Sequence, residues 1–184
     1  MSRVESRFKQ YLLENDDLLR DLRLVKELQL PQSYIAAGYI RNYIWDRLHG
    51  FDYRGRHSDI DVIYYDPSDI SEDKDTRLEL EIKQLTGNPK WSVKNQARMH
   101  LRNGEPPYSS TWEAMRRWPE TATAVGARMD EEDQLQWICP YGLKDLLELI
   151  VRRSPLYLDR DDYLQRIRKK DWKKAWPLLN VIED

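Results

Sequence analysis

Two aspartates one residue apart, Asp59 and Asp61, open the run Ile60-Asp61-Val62-Ile63-Tyr64-Tyr65. Side chains on a strand alternate faces, so both carboxylates project from one side, roughly 7 Å apart at the backbone. A carboxylate pair of this kind suits a hard divalent cation such as Mg²⁺, or Mn²⁺ in its place, held by one or two carboxylates together with substrate phosphates. Ions about 3.5–4 Å apart can clamp an in-line phosphoryl displacement. Upstream lies a second feature, Ala37-Gly38-Tyr39-Ile40-Arg41-Asn42. A residue without a side chain at 38 lets phosphate oxygens approach the backbone, and the N–H groups that open a following helix favour an anion. Taken alone, each feature reads as readily as a loop margin or an ordinary turn. The combination, a small-Gly turn, a helix with an Arg in its first turn and Asp-x-Asp opening the next strand, is more restrictive and favours a functional reading.

The elements around these residues must bring them together. Ser33-Tyr34-Ile35-Ala36-Ala37 is a short apolar run ending at Gly38, and apolar residues at 40, 44 and 48 then continue to Gly50. This pattern predicts strand, turn and helix, followed by a central strand over 60–65 that Asp66-Pro67 stops. Two amphipathic helices precede it, on Val4, Phe8, Tyr11 and Leu12, and on Leu18, Leu22, Val25 and Leu28. A helix over 71–86 and a strand over 91–95 follow. Ser110-Thr111-Trp112-Glu113 has the form of a capping box. The remaining pattern predicts strands over 121–129 and 135–139, a helix over 143–151 and a basic helix over 161–176. With no repeat or linker, the chain is expected to be one α+β domain: a small, mixed, twisted sheet of about five strands with helices mainly on one face.

Composition bounds the answer without naming a chemistry. Lys and Arg number 30 against 32 Asp and Glu, a formal charge of −2, which does not resemble that of a generic nucleic-acid binder. Seven Trp and eleven Tyr supply apolar area for a core despite 34% charged residues. No apolar run approaches the ~18 residues of a membrane span, the first ten residues are charged, and Cys139 stands alone, so a cytoplasmic location is expected. Neither a P-loop nor a Gly-x-Gly-x-x-Gly run is present, which disfavours Walker-type ATPases and Rossmann dehydrogenases.

Residues 33–65 resemble the core signature of the DNA polymerase β-type nucleotidyltransferase superfamily, and are especially similar to the strand, Gly-Gly-x-x-Arg-Asp, helix, Asp-x-Asp arrangement of CCA-adding enzymes and poly(A) polymerases. Val93-Lys94-Asn95-Gln96-Ala97-Arg98-Met99-His100, Arg117-Trp118-Pro119-Glu120-Thr121-Ala122, Pro140-Tyr141-Gly142-Leu143 and the Trp-rich end extend the match to a family of small bacterial nucleotidyltransferase-like proteins. The resemblance implies a nucleotidyltransferase-like fold and transfer of a nucleoside monophosphate from a nucleoside triphosphate. It places Ala37 and Gly38 at the phosphate-contacting glycine pair, Arg41 at the helix arginine, and Asp59 and Asp61 at the metal ligands. Ala37 departs from the first glycine and Asn42 from an aspartate. The family's third carboxylate has no acidic counterpart in the strand over 91–96, and Glu81 on the preceding helix is an alternative without a spacing argument. A nucleotide- or RNA-binding module that has lost transfer, or the toxin of a toxin–antitoxin pair, are the competing readings.

Other residues complete the candidate set. Lys94 or Arg98 can offset triphosphate charge, with Arg41, and Asn95 and Ser58 add polar groups for the nucleotide. His57 reads as a loop residue or a phosphate donor. Tyr108, Trp112 and Trp118 read as core or as a stacking platform for a base. The basic helix with Arg166, Arg168, Lys169, Lys170, Lys173 and Lys174 reads as a solvated face or a track for RNA. The acceptor, whether RNA, protein or small molecule, leaves no signature.

Overall fold

The computed structural model describes residues 1–52 and 59–183. The chain opens with α1 (Arg3–Leu13) and α2 (Asp16–Glu27), then β1 (Tyr34–Ala36), α3 (Gly38–Leu48), β2 (Ile60–Tyr64), α4 (Glu72–Thr86) and β3 (Trp91–Asn95). A 3-10 turn over Gln96–Arg98 leads into α5 (Met99–Asn103) and α6 (Thr111–Met115), followed by β4 (Gly126–Met129), β5 (Leu135–Ile138), α7 (Lys144–Leu147) and β6 (Ile150–Val151). The chain closes with α8 (Arg160–Lys170), α9 (Trp172–Ala175) and β7 (Asn180–Val181).

Local chemistry sets the first boundaries. Ser2 caps α1 by accepting from the Glu5 amide at 3.2 Å, while the Glu5 carboxylate accepts from the Ser2 amide at 2.7 Å, a reciprocal capping box. Asn15 caps α2 by accepting from the Leu18 amide at 3.0 Å. Phe8 and Leu12, then Leu18, Leu22 and Val25, turn inward on these helices. α3 differs: Tyr39 through Asp46 are all buried, so it is the central helix and carries no solvent stripe.

The main sheet has the order β3-β2-β1-β4-β5. β2 and β3 are parallel, joined through α4; the other neighbours are antiparallel. This mixed five-stranded α+β arrangement is the one the sequence pattern predicts. Ile35, Val62, Tyr64, Trp91, Val93 and Ala127 face the helices and form the main core. The opposite face is sparsely covered: Ala36, Ile63 and Ile138 pack with Met115 and Trp118 from the α6 region. β3 is an edge strand, and α4 occupies its free amides: Glu79 accepts from Val93 N at 3.1 Å and Asp75 from Asn95 N at 3.1 Å. Blocking an edge with carboxylates in this way leaves it no amides for a foreign strand.

Three boundaries differ from the sequence expectation. Residues 121–125 form a turn rather than strand, because Thr123 and Ala124 amides donate back to Glu120 O at 3.1 and 3.2 Å, and pairing begins only at Gly126. The helix over 143–151 stops at Leu147; Leu149 takes φ 59°, and the chain leaves as β6 to pair in parallel with β7. The basic helix over 161–176 breaks at Asp171 (φ 43°, ψ 45°) into α8 and α9. That break lets Trp172 and Trp176 both pack edge-on against Trp45 of α3, at ring-centroid distances of 5.7 and 5.2 Å. Trp176 also donates through Nε1 to Asp46 at 2.8 Å. Among the described residues, no helix is long and apolar enough to cross a membrane.

Candidate active site

β2 places the carboxylates. Ile60 and Val62 point into the core, which turns Asp61 to the sparsely covered face, and alternation puts Asp59 on the same side. Asp61 lies opposite Ala36 on β1 and Ser92 on β3. The β1–β2 pairing ends at Ala36, opposite Asp61, and the turn at Ala37 and the start of α3 at Gly38 follow directly on that residue. Neighbouring strands lie about 5 Å apart, so the turn and the carboxylate pair are immediate neighbours. Asp59 is exposed and Asp61 half-buried. Neither makes a hydrogen bond or ion pair with another described residue. Burial first, and the charge of Asp59 second, push the Asp61 carboxyl up to about 6, against the opposing pull of Arg41, Lys170 and Lys94.

The turn is built differently from the sequence expectation. The backbone that favours glycine belongs to Ala37, at φ 57° and ψ −127°, while Gly38 already begins α3. Ala37 is held there from both sides, its amide donating to Val125 O and its carbonyl accepting from Arg41 N, each at 2.9 Å. A Cβ on Gly38 would meet only Arg41 Nη2 at 3.7 Å and Asn42 Nδ2 at 3.8 Å, ordinary contacts. Nothing among the described residues therefore demands glycine at 38; the bare backbone leaves room there. No side chain caps the amides that open α3, so they are available to an anion.

Arg41 is adjacent but engaged. Its Nη1 donates to Thr123 Oγ1 at 2.7 Å, its Nε and Nη2 donate to Asn42 Oδ1 at 3.1 and 2.9 Å, and its guanidinium lies 4.8 Å from the Trp45 ring and 4.5 Å from the Trp172 ring. Burial lowers its pKa to about 10. The sequence assigns Arg41 to charge neutralisation; the structure instead places it as the joint between α3, the 121–125 turn and α9. Lys94 does share the face of Asp61, and it is exposed, with its ammonium 3.9 Å from Glu79.

Asn95 and Arg98 are not brought to the pair. They lie at the opposite end of the parallel strands, three or more residues beyond the level of Asp61, roughly 10 Å or more along the sheet. The Asn95 side chain is fully occupied, donating to Asp66 O and Asp69 O at 2.8 and 2.9 Å and accepting from Asp66 N and Ala97 N at 3.0 and 3.1 Å. Arg98 pairs with buried Asp75. Asn95 thus pins the loop after β2, and Arg98 ties the turn after β3 to α4, both away from the carboxylate pair. Ser58 and His57 lie outside the described residues. Glu81 is exposed on α4, and Glu79, not Glu81, reaches β3. Tyr108 is buried, Trp112 is 47% exposed, and Trp118 packs against the lightly covered face, so the three do not form one platform. Cavities of about 330 Å³ beside Arg47 and Asp52, and about 550 Å³ beside Lys26 and Arg128, lie away from the pair.

The contacts of Glu120, Thr123 and Arg166, and the position of Lys170 one turn beyond Arg166, are not given by the sequence alone. Glu120 is fully buried and pairs with Arg166, Nε to Oε1 2.5 Å. Its only signal is an acid inside the small, apolar run Glu120-Thr121-Ala122-Thr123-Ala124-Val125. Arg166 and Lys170 carry the i,i+4 spacing of one helix face, a signal that a basic helix read as a whole obscures.

Among the described residues, no group of three His, Cys, Asp or Glu converges on a metal position. Two carboxylates without partners among the described residues, beside open amides, fit a hard divalent cation whose remaining ligands are water and phosphate oxygens. An acidic pair at the start of β2, an inner strand of the sheet, stands beside a turn that opens a buried helix. A family model described as nucleotidyltransferase matches residues 23–181, and the chain belongs to that family. It is similar, at 32% identity and a TM-score of 0.84, to a protein whose NMR structure is described as revealing a CCA-adding enzyme head domain; the match covers 96% of this chain and 95% of that one. It is also similar to a CCA-adding enzyme in complex with CTP (18% identity, TM-score 0.57, 95% of this chain and 41% of that one). A further likeness is to the Thermotoga maritima CCA-adding enzyme complexed with tRNA (16% identity, TM-score 0.58, 94% and 42%). For these last two the likeness is one of fold, and the chain spans less than half of their length. No curated protein is significantly similar in sequence.

Proposed function

We propose that this nucleotidyltransferase moves a nucleoside monophosphate from a nucleoside triphosphate to a hydroxyl acceptor, with Mg²⁺ or Mn²⁺ held by Asp59 and Asp61. The observation that carries this reading is the pair itself: two carboxylates without partners among the described residues, beside an uncapped helix start at a glycine that no described residue requires. A divalent ion bound there supplies charge neutralisation on the phosphates. The α3 amides seat phosphate oxygens beside Gly38, and Lys94 adds positive charge from the same face of the sheet. The acceptor oxygen attacks the α-phosphorus, the α–β P–O bond breaks, pyrophosphate leaves with the bond electrons, and the hydroxyl proton passes to solvent. Positioning and electrostatic stabilisation carry such a transfer, with little covalent work for the protein. The CTP-bound CCA-adding enzyme supports a nucleoside triphosphate as donor.

A second reading, a nucleotide-binding module without transfer, is favoured by one observation: no third acid joins the pair among the described residues. Pyrophosphate release and label transfer from α-labelled triphosphates separate the two. Transfer that disappears in both Asp59→Asn and Asp61→Asn is expected. Tight binding with no pyrophosphate from the wild type supports the module, and turnover undiminished in both variants refutes the assignment.

A further inference from the structure

Two arginines that flank the site are engaged elsewhere, Arg41 by Asn42, Thr123 and two tryptophan rings, and Arg166 by Glu120. Their anchoring fixes the position of a third cation. Arg166 and Lys170 are four residues apart on α8 and share a face. Arg166 binds fully buried Glu120 at 2.5 and 3.3 Å. Beyond Lys170, the αL residue Asp171 ends the helix and Trp172 inserts beneath Arg41 at 4.5 Å. Arg41 Nη2 lies in turn 3.7 Å from the Cβ position of Gly38. The residues that flank Lys170 along the chain, Arg166 and Trp172, are thus anchored by contacts of which those of Trp172 lead back through Arg41 to the turn beside Asp59. It is exposed and has no ion pair with a described residue. Its environment agrees: burial, Arg166 and Arg41 lower its pKa, while Glu120 and Asp59 oppose them. An ammonium held beside two like charges is suited to an added anion.

We propose that Lys170 is the residue that binds the β- and γ-phosphates of the nucleoside triphosphate at the Asp59/Asp61 site, and that it stays with pyrophosphate as that group leaves. This rests on the nucleotidyl-transfer reading and supplies from the C-terminal helix the cation that Arg41 does not. A compact point charge with rotatable donors suits a leaving phosphate. The chain's last helices then complete the site and are more than a solvated face.

The test uses the full chain, with Mn²⁺ present, and titrates ATP, CTP, GTP and UTP against the matching monophosphates by calorimetry. Loss of one charge-assisted contact predicts triphosphate binding weakened ~10–100-fold in Lys170→Ala. Monophosphate binding is expected to stay within about twofold, and Lys170→Arg to recover most of the triphosphate affinity. Circular dichroism and the thermal midpoint should not move, because the side chain is exposed. Equal triphosphate binding by wild type and Lys170→Ala, or an equal loss for tri- and monophosphates, overturns the role of Lys170 while leaving nucleotidyl transfer standing. A wild type that binds none of the four triphosphates overturns both.

Discussion

Replacing Asp61 by Asn should make the protein more stable while removing its activity. In the folded chain this carboxyl is raised from 3.8 to about 6, mainly by burial and then by the neighbouring charge of Asp59. A raised carboxylate pKa means that the fold disfavours the ionised form. The penalty is absent below about 3.8, where the group is protonated folded and unfolded alike, and it is complete once pH exceeds about 6. A shift of this size corresponds to about 3 kcal/mol at 1.36 kcal/mol per pKa unit. Asp61 is half-buried, and solvent screening reduces the figure to on the order of 1–3 kcal/mol. The assay is urea denaturation of wild type and Asp61→Asn in chelator, from pH 4.5 to 8. The variant's advantage should be largest above pH 7 and should shrink toward zero as pH falls. Adding Mg²⁺ should stabilise the wild type and not the variant. A variant less stable than wild type at pH 7.5, or an advantage that ignores pH, refutes the description of this carboxylate as one whose charge the fold disfavours.

Ala37→Gly should stabilise the chain by about 0.5–2 kcal/mol, since release of a strained backbone (on the order of 1–3 kcal/mol) outweighs the added entropy of an unfolded glycine (~0.5–1 kcal/mol). Thermal and urea unfolding measure it, and a less stable variant would show that the φ of 57° is not strained. Asn95→Ala should cost about 2–4 kcal/mol, because four hydrogen bonds of a buried side chain are lost. Its triphosphate affinity, measured per folded molecule, should remain within about twofold of wild type; a selective loss of affinity would return Asn95 to the binding site.

The strands and helices near the site were readable because local signals and tertiary demand agree there. Ile60, Val62 and Tyr64 alternate into a helix-packed core, so the faces of Asp59 and Asp61 followed from pattern alone. The failures share a physical cause. Asp171 is polar, and the run around it is a good helix former, yet the packing of Trp172 and Trp176 on Trp45 requires a break. Leu149 likewise gives no local sign of the positive φ that precedes β6. At the site, Lys94 and Gly38 could be placed from strand face and turn. Glu120, Arg166 and Lys170 could not, because a contact such as Glu120–Arg166 spans 46 residues and leaves no periodic trace. Asn95 and Arg98 lie at the far end of the parallel strands from Asp61; polarity near a strand end does not say at which end of the sheet a residue stands.

A divalent cation and a polyphosphate are expected to meet at Asp59 and Asp61. Electron paramagnetic resonance of Mn²⁺, titrated with and without a nonhydrolysable triphosphate, measures this directly. Wild type should bind the ion with an affinity that rises when the triphosphate is added, and an Asp59→Asn, Asp61→Asn double variant should lose both the protein-bound signal and its coupling to nucleotide. Undiminished Mn²⁺ and triphosphate binding in that double variant would contradict the assignment.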